Sequence, residues 1–156
     1  MRVKNFGFTM PREMHDTQEW LFAIDAFDYA DPEPLAELLE KESSIPKPYR
    51  KAVADIVRGE RKPNRRAAAK LKLPARDRLS IGAEISIGMG VIDSLKNTVE
   101  RIGDRKGIEP IEALRMCEEE AAALFEEYAE MHGVSIETLE NVLRDLRKMA
   151  ENWPNV

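Results

Sequence analysis

Apolar residues recur at helical spacing along most of the chain. In WLFAIDAFDYA the positions Trp20, Leu21, Ile24 and Phe27 fall on one helical face. Just before them, Asp16-Thr17-Gln18-Glu19 has the form of a capping box, an acceptor at the N-cap with glutamate three residues on. The pattern predicts a helix to about Tyr29. Asp31-Pro32 sets a capping side chain before a proline at the first helical position, and Leu35, Leu38 and Leu39 give a short second helix its stripe. Ile45-Pro46-Lys47-Pro48 breaks the chain, after which Tyr49, Val53, Ile56 and Val57 mark a third helix that stops at Gly59. The first dozen residues, MRVKNFGFTMPR, lack helical spacing and predict an extended arm, with Val3, Phe6 and Phe8 available to pack.

Residues 79–91 carry two patterns at once. Every odd position is apolar (Leu79, Ile81, Ala83, Ile85, Ile87, Met89, Val91), which by itself reads as a strand. The helical reading puts Ile81, Ile85, Met89, Ile92, Leu95 and Val99 on one face and continues into DSLKNTVERIG. A hairpin here would find no sheet partner elsewhere in the chain, so helix is the favoured reading although each of three glycines costs roughly 1 kcal/mol. Gly88 and Gly90 would then allow a close approach by another helix, or a kink. A turn over Gly103–Gly107, a long helix opened by Glu109-Pro110 and running to about Met131, and a last helix from Ser135 to about Glu151 complete the reading.

The fold class predicted is all-α, with six or seven helices. Residues 1–15 would be the arm, 16–58 a small N-terminal helical unit, 59–78 a linker with two turns of helix in RRAAAKLKL, and 79–151 a C-terminal helical unit. Composition agrees: 43% hydrophobic and 34% charged residues with only 6% aromatics lean towards helix.

Charge changes the picture more. Residues 58–78, RGERKPNRRAAAKLKLPARDR, hold nine of the 24 Lys and Arg residues and only two acids, a local +7 in a chain of net charge −5. The remaining 135 residues therefore carry −12. A concentrated cationic segment points to phosphates, and Arg58, Arg61, Lys62, Arg65, Arg66, Lys70 and Lys72 are the candidate phosphate contacts, with DNA the implied partner. A solvated linker, or a strip docked on the protein's own acids, is the bland reading of the same residues.

YAEMHGVSIETLENVL, residues 128–143, puts small Ala129 four residues before Gly133, then a Val-Ser start to a second helix, then Leu139 and Val142 six and nine after the glycine. This resembles the helix-turn-helix of bacterial and phage DNA-binding proteins, over about residues 122–148. The resemblance implies that the second helix enters the major groove and turns Ser135, Asn141 and Arg144 towards base edges. Glu137 and Glu140 on that helix, and Glu118, Glu119, Glu120, Glu126, Glu127 and Glu130 before it, oppose a polyanion. The chain as a whole is similar in style to small helical products of prophages and mobile elements.

Enzymatic readings find little. His15 and His132 have no second histidine at ligand spacing, no phosphate loop or nucleophile elbow occurs, and neither a metal nor another cofactor is expected. The lone cysteine, Cys117, fits a small buried residue and a reducing cytoplasm. No apolar run approaches the length of a membrane span. The expectation is a non-enzymatic cytoplasmic DNA-binding protein. The alternative is an acidic helical interaction module, an inhibitor or adaptor that meets a protein partner. Apolar residues between Met89 and Val99 and the helix-turn-helix habit of pairing make a homodimer an expectation of either reading.

Overall fold

A computed structural model describes residues 8–106 and 109–156. The protein is all-α. Eight helices are present among the described residues, with no strand: α1 (Arg12–Asp16), α2 (Gln18–Asp28), α3 (Glu33–Lys41), α4 (Arg50–Val57), α5 (Arg65–Ala69), α6 (Arg78–Lys106), α7 (Pro110–His132) and α8 (Ile136–Glu151). Short 3-10 turns at Lys47–Tyr49 and Ala75–Asp77 lead into α4 and α6.

The backbone contacts divide into two compact units, and the division is not sequential. One comprises residues 9–81 and 144–156, the other Phe8 with residues 82–143. The expected order of arm, N-terminal unit, linker and C-terminal unit is thus not the order in which the chain packs. The segment predicted to be a linker lies within the first unit. Its Leu73 is buried, and the Asn64 amide donates to the Asp28 carbonyl at 2.8 Å. The expected arm is also shorter: α1 forms within it and buries Met14 completely, while the packing expected of Val3 and Phe6 lies outside the described residues.

In the first unit Trp20, Leu21, Ala23, Ile24 and Ala26 of α2 are buried, as are Leu35 and Leu38 of α3 and Tyr49, Ala52 and Val53 around the start of α4. Tyr49 packs against Trp153, ring centroids 5.7 Å apart, and its hydroxyl meets Thr17 Oγ1 at 3.0 Å. That contact and the Glu13 carbonyl, 2.6 Å away, occupy the Thr17 hydroxyl, and α2 starts without the predicted capping box because Asp16 already belongs to α1. Helix α2 ends with Ala30 at φ +65°: the Ala30 amide donates to the Phe27 carbonyl and the Asp31 amide to that of Ala26. This is the hydrogen-bond pattern of a Schellman motif, with alanine where glycine is usual.

Residues 79–91 are helical. Ile81, Ile85 and Met89, at spacings of four, are buried, whereas Ile87, Val91 and Leu95 form a second apolar row that is exposed. The interleaving of two helical rows is what produces the strand-like alternation in the sequence. Gly88 faces Leu124 of α7, and a Cβ there would stand 2.8 Å from Leu124 Cδ2, so this glycine does permit a close helix approach. Gly90 has nothing within 4 Å and serves no such purpose. The turn expected from Gly103 does not form there: α6 continues through Lys106, and Gly107 lies outside the described residues.

Candidate functional site

The nine bases of residues 58–78 divide by what holds them. Arg61 donates to both carboxylate oxygens of Asp28, at 2.9 and 2.6 Å, and these bonds hold its pKa above the ordinary value against partial burial. Arg76 forms a similar fork on Asp31, a residue whose carboxylate also accepts from the Glu33 amide at the start of α3. Arg58 lies 3.9 Å from Asp55, which Lys51 holds more closely. Arg61 was a predicted phosphate contact, and its guanidinium is committed to the fold instead.

Arg78 is the most deeply held. Its side chain is 4% exposed; Nε and Nη2 donate to Asp25 at 3.0 and 2.5 Å, and Nη1 donates to Asp145 at 2.8 Å. Its guanidinium also lies 4.4 Å from the centroid of the Tyr29 ring. Burial works against the cation, but the hydrogen bonds and charge of Asp25, followed by Asp145, outweigh it and keep Arg78 firmly protonated. Burial pushes the Asp25 carboxyl up, with Arg78 pulling it back. One cation thereby joins α2, the start of α6 and the second half of α8.

Lys62, Arg65, Arg66, Lys70 and Lys72 are exposed, and none pairs with an acid among the described residues. They centre on α5. Asn64 starts that helix: its side-chain oxygen accepts from the Ala67 amide at 3.1 Å. With Ala67 and Ala68 half-buried and Arg65, Arg66 and Lys70 exposed, the short helix turns its cations outward.

The inner side of α5, through Asn64 and Ala67, forms one wall of a cleft of about 420 Å³. Asp25, Tyr29, Arg78 and Asp145 lie at its base, and Lys148, Asn152 and Asn155 come from the last turns of the chain. Sequence reasoning missed this site. The available signal was Asp25, an acid set between Ile24 and Ala26 on the apolar face of α2, where a charge requires a partner.

Between α7 and α8 the chain turns at Gly133. Gly133 adopts φ +64°, its amide donates to the Glu130 carbonyl, and the Val134 amide donates to that of Ala129. Leu139, Val142 and Leu143 are buried on α8, whereas Ser135, Asn141 and Arg144 are exposed. Ser135 acts as a helix cap: its Oγ accepts from the Thr138 amide at 3.2 Å and meets the Thr138 hydroxyl at 3.0 Å. Glu137 is exposed on the same face as Asn141 and Arg144, four and seven residues on. Comparison with family models, with curated proteins and with solved structures returns no match for the chain.

Proposed function

We propose that the protein binds nucleic acid through the phosphate backbone, using Lys62, Arg65, Arg66, Lys70 and Lys72. The observation that carries this reading is the separation within one basic stretch: Arg61, Arg76 and Arg78 are neutralised by aspartates of the fold, and these five cations are left to solvent. Exposed cations clustered on and beside a short helix release counterions on meeting a polyanion, which supplies affinity without reading sequence. Charge over the unit favours the same reading. Residues 9–81 and 144–156 hold 17 bases against 15 acids, a net +2, in a chain that is acidic overall. Asn141 and Arg144 could add base contacts only against the repulsion of Glu137, so the backbone term dominates the proposal.

Fluorescence anisotropy with a mixed-sequence DNA duplex tests it. Binding should weaken steeply with salt, and Arg65→Ala with Arg66→Ala should weaken it on every sequence alike. An absence of binding at micromolar protein and low salt would refute the proposal.

A second reading, a protein-interaction module, has its own support in residues 82–143. They carry 14 acids against five bases, a net −9, and display the apolar row Ile87, Val91 and Leu95 on α6. Light scattering distinguishes self-association from a foreign partner: Val91→Glu should convert a dimer to a monomer if the partner is a second copy.

A further inference from the structure

The cleft beside α5 differs in chemistry from the cations outside it. Asp25 and Asp145 share the single guanidinium of Arg78, and with Asp28 and Lys148 also on the lining the cleft holds three acids against two bases, a net −1 that favours a neutral ligand over a phosphate or carboxylate. Asp145 is 39% exposed, and the hydrogen bond from Arg78 occupies only its Oδ2, so Oδ1 remains to accept from a ligand. Asn152 and Asn155 bring carboxamides, each a donor and an acceptor side by side, and both are exposed. The volume of about 420 Å³ is that of a small-ligand site. What fits is a neutral planar group rich in hydrogen-bond donors.

We propose that this cleft takes an unpaired nucleobase carrying an exocyclic amino group, adenine, cytosine or guanine, while the phosphates of the same single strand run along the outer cations of α5. The inference rests on the phosphate-binding reading above and adds its substrate class, a single strand. The link is α5 itself, whose Asn64 and Ala67 wall the cleft and whose Arg65 and Arg66 face outward. Single-stranded nucleic acids are recognised in this divided way, with bases splayed into polar pockets and the backbone held by charge. The carboxylate Asp145 accepts from an exocyclic amino group, whereas thymine offers the same oxygen only its imide N3–H, flanked on both sides by carbonyls that repel the carboxylate.

The test uses the full chain with 12-residue oligo(dA), oligo(dC) and oligo(dT), and a duplex of the same length, by anisotropy at low salt. Oligo(dA) and oligo(dC) should bind at least about fivefold more tightly than oligo(dT), the equivalent of one net hydrogen bond. Asn152→Leu, a change at an exposed position that alters no charge, removes one carboxamide from the cleft and should narrow that difference while leaving duplex binding unchanged. Equal binding of all four probes, indifferent to Asn152→Leu, would overturn the cleft inference and leave the phosphate reading standing. Failure of every probe to bind would overturn both.

Discussion

At the scale of single residues, Arg78 holds more of the first unit than any other charged group. Removing it leaves the buried carboxylate of Asp25 without its cation and takes from Asp145 its partner on α6. Breaking a buried pair from one side costs about 3–5 kcal/mol. Denaturant unfolding of Arg78→Leu should therefore show a loss of that order, with Asp25→Asn smaller because the guanidinium keeps Asp145. Ala30 makes the opposite prediction. An alanine at φ +65° bears a Cβ penalty that glycine lacks, so Ala30→Gly should raise stability by roughly 1 kcal/mol. Gly133 occupies the equivalent position after α7 and adopts φ +64° without that penalty. These roles were only partly legible in the sequence. Gly59 and Gly133 announce helix ends by their type, but nothing in the sequence says which of nine neighbouring bases will find an aspartate, because Asp28 and Arg61 meet across 33 residues and Asp25 and Arg78 across 53.

At the scale of elements, the sequence predicted helices well wherever one apolar row ran alone, as in α2, α3, α4 and α8. It is ambiguous over residues 79–91 because α6 carries two rows, 81/85/89 and 79/83/87/91, and two helical rows two residues out of register imitate the alternation of a strand. Helix prevails because no other segment offers a strand to pair with, a property of the whole chain and not of the segment. Gly88 and Gly90, two of the three glycines of that segment, part company in the fold. Gly90→Ala meets open space and should gain up to about 1 kcal/mol of helix propensity, while Gly88→Ala must displace Leu124 and should gain less or lose. Thermal unfolding of the two variants side by side checks this. The cleft beside α5 was not legible in any single element. It is assembled from α2, α5, the start of α6 and the end of α8, and only Asp25 hinted that a buried charge was waiting for a partner.

At the scale of the whole molecule, the electrical division visible in the sequence survives, but along different lines. A basic linker between two acidic units was the expectation. Folding instead draws the basic stretch into a unit of net +2 and leaves residues 82–143 with a net −9. The reason is specific pairing: aspartates on α2 and α8, and Asp31 just before α3, neutralise the three arginines that come closest, and the cations on and around α5 are not matched. The central claim is that those five are what a polyanion meets. It is tested most directly by the salt dependence of duplex DNA binding. Five phosphate contacts predict a slope of log K against log salt of about −4.5, falling to about −2.7 when Arg65 and Arg66 are both changed to alanine. Binding that ignores salt, or a slope unmoved by the double substitution, would contradict the account.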